Sequence, residues 1–102
     1  MSSMFRGCRS LKELNLNNFN TNNVYDMSRM FEGCSSLTEL YLSNFNTINV
    51  INMNAMFSGC KSLKELNISF NTNNANYMDC MFDGCSDELK NKIKEQNKDI
   101  FI

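Results

Sequence analysis

Cysteine is the residue in this chain of 102 whose type and spacing most readily suggest chemistry. Cys8, Cys34, Cys60 and Cys85 each follow a glycine and recur at steps of 26, 26 and 25. If equivalent residues of successive repeats lie one strand spacing apart, about 5 Å, neighbouring cysteines fall within the Cα range that a disulfide tolerates. A small buried thiol filling a repeated core slot explains the same column, and that reading is preferred. With no histidine and no C-x-x-C, no metal centre is expected. Cys80 stands off the column, aligned with Ser3, Arg29 and Ala55. That position is variable and reads as exposed, so Cys80 is the best candidate for a reactive thiol or an intermolecular bridge. An ordinary substitution is the plainer explanation.

The elements that must position these residues are written in the same period. Met-Phe pairs stand at 4–5, 30–31, 56–57 and 81–82, and a Gly-Cys pair follows each. Next comes S-L-x-x-L-x-[LI], through Leu11/Leu14/Leu16, Leu37/Leu40/Leu42 and Leu63/Leu66/Ile68. F-N-T closes each unit at Phe19, Phe45 and Phe70. A unit this short cannot bury an apolar face alone, so copies must pack on one another. L-x-x-L-x-L is the leucine-rich-repeat signature of a short strand, with period-2 alternation. It predicts three parallel strands near 13–16, 39–42 and 65–68. V-x-x-M-x-x-M-F (Val24, Met27, Met30, Phe31) has the spacing of one helical face, and the glycines fall where such a helix would stop. The expected fold is therefore α/β: a right-handed leucine-rich-repeat solenoid with short parallel strands, short helices on the back and a C-terminal capping helix. Residues 1–85 form the repeats, and 86–102 the amphipathic cap. Within the cap, Ser86 reads as N-cap, about 87–97 as helix, and Leu89, Ile93 and Ile100 as its apolar side.

Phe5/Phe31/Phe57/Phe82 and Phe19/Phe45/Phe70 are expected as two aromatic spines, with the methionine columns filling space between them. A cofactor pocket is not expected in so continuous a core. Asn20, Asn46 and Asn71 are expected to satisfy backbone groups at the turn leaving each strand.

Here the pattern M-x-x-M-F-x-G-C-x-S-L-x-x-L-x-L-S-N-F-N-T-x-N-V resembles the BspA-like leucine-rich-repeat surface proteins, including the mycoplasma-type surface repeats, over roughly residues 1–85. The resemblance implies a curved repeat protein displayed at the cell surface or secreted, used in adhesion to host proteins or in contact between cells. MSSMFRGCRS lacks the apolar core of a secretory signal, and the chain reads as a segment of a longer array or a very short gene, so a cytoplasmic location also stays open.

Net charge −1 and a pI near 5.3 argue against nucleic acid as partner, since phosphate binding shows as a basic stripe. No apolar run approaches the roughly 20 residues of a membrane span. Outward strand residues form the candidate protein-binding surface: Lys12, Glu13, Asn15; Thr38, Glu39, Tyr41; Lys64, Glu65, Asn67. Glu13, Glu39 and Glu65 would align in one repulsive column, offset by Lys12 and Lys64. The column is either a tolerated copy screened by solvent or a site for a ligand's basic group or a weak Ca²⁺ ion. Tyr41, the single aromatic on this face, is the expected contact hot spot. Function is expected to be non-catalytic protein interaction with a protein ligand. A structural spacer, self-associating through the uncapped N-terminal edge, is the alternative. An enzyme is not expected: there is no nucleophile elbow and no phosphate-cradling glycine loop, and the glutamates lie on a face that cannot exclude water.

Overall fold

Where buried and exposed side chains alternate, the chain makes its strands. Glu39–Tyr41 is β1 and Glu65–Asn67 is β2. They pair in parallel, with Glu39 beside Glu65, Leu40 beside Leu66 and Tyr41 beside Asn67. Glu39 and Tyr41 are exposed while Leu40 is fully buried. The computed structural model describes residues 1–97. Within them, β1, β2 and one helix, α1 (Asp87–Gln96), are the regular elements. The molecule measures 31 × 29 × 19 Å along its principal axes.

This overturns the expected right-handed leucine-rich-repeat solenoid. Among the described residues the fold contains one two-stranded parallel sheet and a single helix. Residues 13–16 share the alternation of β1 but form no strand, because the ladder ends at β1.

The expected helices on the back are also absent, and the hydrogen bonds show why. An α-helix closes each N–H onto the carbonyl four residues earlier. Here the N–H groups of Met27, Arg29, Phe31 and Gly33 donate instead to Asn52, Asn54, Met56 and Ser58 of the next repeat, at 2.9, 2.8, 2.9 and 2.7 Å. The intervening N–H groups of Met30, Glu32 and Cys34 close tight turns on Met27, Arg29 and Phe31, at 3.3, 3.1 and 3.1 Å. Met53, Ala55, Phe57 and Gly59 repeat the pattern against Tyr77, Asp79, Met81 and Asp83. Arg29 and Gly33 sit at φ 57° and 76°, a left-handed conformation that a right-handed helix cannot include. The period of Met27, Met30 and Phe31 thus reflects burial, not helix. All three are fully buried.

Side-chain columns fill the space between repeats. Phe5, Phe31, Phe57 and Phe82 stack nearly parallel, with centroids 5.7, 5.5 and 5.3 Å apart. Phe70 meets Phe57 and Phe82 edge-on at 6.4 Å, so its column braces the first instead of forming an independent stack. The glycine column lies in close contact: a Cβ on Gly59 would stand 3.4 Å from the Gly33 nitrogen.

α1 begins as expected, with the Ser86 hydroxyl accepting from the Leu89 N–H at 3.2 Å. Asp87 and Glu88 occupy its first turn, where the helix dipole favours negative charge. Leu89 and Ile93 are buried in the core shared with the repeats. The helix ends at Gln96, and Ile100 lies outside the described residues.

Candidate functional site

All nine candidate strand-face residues are exposed. Lys12, Glu13, Asn15, Thr38, Glu39 and Tyr41 share an open groove of about 480 Å³. Tyr41 also walls a second groove, of about 610 Å³, with Glu65, Asn67 and, from the end of α1, Gln96 and Asn97. Tyr41, half exposed, is therefore the ridge between two hollows. It stands there because residue 41 points outward from β1 while Leu40 and Leu42 are buried beneath it. Lys64 lies beside the second groove without lining it.

The glutamate column is shorter than expected. Glu39 and Glu65 are register partners across β1 and β2, whereas Glu13 shares only the first groove with Glu39. The cation that offsets the column is Lys92 of α1, not Lys12 or Lys64. Its Nζ lies 3.1 Å from Glu65 Oε1 and 3.3 Å from the Lys64 carbonyl, with Glu88 at 3.6 Å. The hydrogen bond with Glu65 is the main reason the Lys92 pKa is raised. The charge of Glu39, then partial burial, a hydrogen bond with the same carboxylate and the charge of Glu65 raise the Tyr41 phenol above its ordinary 10.0. At neutral pH Tyr41 is therefore a protonated phenol, able to donate.

The cysteines are free thiols. Cys34, Cys60 and Cys85 donate from Sγ to the carbonyls of Phe5, Phe31 and Phe57, at 3.1, 3.2 and 3.2 Å. Burial pushes all three pKa values up, that of Cys85 to about 11. Cys80 is exposed but lacks the surroundings of a reactive thiol: a hydrogen bond with Asp83, then the charge of Asp83, raises its pKa, whereas reactivity needs the thiolate. Its position, with φ 61°, continues the left-handed column of Ser3, Arg29 and Ala55. That column is not uniformly exposed, since Ala55 is buried. Among the described residues no group of three His, Cys, Asp or Glu side chains could hold a metal ion, and no helix is long and apolar enough to cross a membrane.

Several roles escaped the sequence reading. Thr21 and Thr47 are buried, each donating to and accepting from the backbone of the next repeat: Thr47 Oγ1 pairs with the Asn71 carbonyl at 3.2 Å and its N–H at 2.7 Å. The signal was present, because threonine recurs after every F-N. Asn20, Asn46 and Asn71 accept through Oδ1 from the N–H two residues on, at 3.0, 3.1 and 3.1 Å. They do serve the turn, as expected, but mainly within their own repeat. Bridging between repeats falls to Asn44, Asn49 and Asn74, whose side-chain amides donate to carbonyls of the preceding repeat. The second groove and the Lys92 contact with Glu65 depend on where α1 docks, for which the sequence carries no local signal.

Comparison with curated proteins and with solved structures gives no significant match. Residues 1–99, covering all four repeat starts, the strand face and α1, match the family described as Mycoplasma protein of unknown function, DUF285, and the chain belongs to that family.

Proposed function

We propose that the chain is a non-catalytic protein-interaction module that binds its ligand across Tyr41. The observation carrying this reading is the position of Tyr41, a half-exposed aromatic between hollows of about 480 and 610 Å³. A flat aromatic with a polar tip, flanked by hollows that take partner side chains, has the character of an interface hot spot. Glu39 and Glu65 give the ridge an acidic flank, so the partner segment carries a basic group. The pattern M-x-x-M-F-x-G-C followed by S-L-x-x-L-x-L resembles the BspA-like surface proteins. On that resemblance the module belongs to a cell-surface adhesin contacting host or neighbouring-cell proteins.

The test is surface-plasmon-resonance binding of the purified chain to a panel of extracellular-matrix proteins. Saturable binding to at least one is expected, lost by tenfold or more in Tyr41→Ala, about what truncating a modest hot spot costs, and abolished in Glu39→Lys. Binding that survives both changes, or no binding to any panel member, removes this reading.

A further inference from the structure

A second surface differs in chemistry from the strand face. The backbones of Tyr25, Ile51 and Asn76 are joined in a column: the Ile51 N–H donates to the Tyr25 carbonyl at 2.8 Å, and the Asn76 N–H to the Ile51 carbonyl at 2.9 Å. Beside it run Asn49 and Asn74. Together with Asn73 these residues line an open groove of about 360 Å³, within the size range of small-ligand sites.

Two properties narrow the ligand class. Among the described residues no charged side chain lines the groove, whereas the Tyr41 grooves hold lysine and glutamate. Large apolar side chains also stay in water here: Tyr25 is 60 % and Ile51 40 % exposed. The polar groups are held in place. Asn49 Nδ2 is tied to the Asn22 carbonyl at 2.7 Å and Asn74 Nδ2 to the Ile48 carbonyl at 2.6 Å. Each of these two amides is thereby tethered through Nδ2, leaving Oδ1 without a partner among the described residues. Amides can both donate and accept, as hydroxyls require. Successive repeats offer this set at intervals near one strand spacing, about 5 Å, comparable to the length of one pyranose ring.

We propose that this groove binds a neutral glycan. The C–H face of a sugar ring lies on Tyr25 and Ile51, and ring hydroxyls pair with the amides of Asn49, Asn73, Asn74 and Asn76. The site is separate from the Tyr41 surface and does not depend on the role proposed there.

The experiment is a backbone-amide NMR titration of the chain with three neutral trisaccharides (maltotriose, cellotriose and chitotriose) and with sialyllactose as the charged comparison. At least one neutral sugar is expected to shift the Asn49, Ile51, Asn74 and Asn76 signals saturably and more strongly than sialyllactose does. Tyr25→Ala should weaken that binding by tenfold or more, about 1.4 kcal/mol, and Tyr41→Ala should leave it unchanged. The proposal is overturned if no neutral sugar shifts these signals by about 10 mM, ten times the concentration that half-saturates a millimolar site. It is equally overturned if the shifts centre on Tyr41, if sialyllactose binds best, or if Tyr25→Ala binds as the parent does.

Discussion

The Met-Phe-Gly-Cys side and the Leu-x-x-Leu side of each repeat are copied at the same period, yet they are joined very differently. On the first, alternate N–H groups of one repeat donate to the next, rings stack at 5.3–5.7 Å, and thiols close onto carbonyls. On the second, the ladder is two strands of three residues, with Glu39 beside Glu65. Backbones approach closely where glycine stands over glycine with no Cβ between, whereas like charges across a strand pair oppose such approach. The residues that look chemically active, cysteine above all, therefore belong to the scaffold. The exposed residues, which we propose as the binding surface, are the plain outward ones between the leucines.

That contrast can be broken or sharpened by substitution, beginning with the largest effect. Phe57→Ala removes a ring stacked on both Phe31 and Phe82 and should cost about 3–5 kcal/mol, read as a lower denaturant midpoint. A small loss would mean that the scaffold side is not what holds the repeats together. Thr47→Val keeps the shape but strips the Asn71 N–H and carbonyl of their partner. It should cost about 1–3 kcal/mol in the same measurement. Gly59→Ala forces a side chain to φ 77°, at about 1–2 kcal/mol.

Alkaline pH tests the thiol column. In the unfolded chain the Cys85 thiol titrates near 9.0, and in the fold burial raises it to about 11. Between those values the folded state holds protons that the unfolded state has released, so stability falls as pH rises. Its contribution is complete below about pH 9 and lost by about pH 11. Denaturant midpoints in reductant should decline across this window, and Cys85→Ala should make the decline shallower, leaving the part due to Cys34 and Cys60, whose pKa values burial also raises. Tyr41→Ala should change stability least, leaving the midpoint at the parent value while ligand binding is lost. A clear drop in its midpoint would place Tyr41 with the scaffold and erase the contrast.

Reading the chain by its columns located the core and the exposed face more reliably than the elements. Leu40, Phe31, Cys60 and Leu89 are buried and Glu39 and Tyr41 exposed, as their periods imply. Ser86 caps the helix that follows it. The error at Met27–Phe31 has a specific cause: apolar spacing of three and four fits a helical face, but also a run of tight turns whose N–H groups alternate between the turn and the next repeat. Left-handed Arg29 was no better marked, since arginine carries no preference for that conformation.

What the sequence determined by itself is the period, because four copies in phase dictate which equivalent residues meet, and with it the burial of each column and the cap of α1. The tertiary structure decided where the backbone hydrogen bonds go, since an N–H donates either to a carbonyl of its own turn or to one of a neighbouring repeat depending on how closely repeats approach. It also decided the surface: Lys92 reaches Glu65 and Tyr41 separates two grooves only once α1 has docked, and no residue of the helix encodes that distance locally.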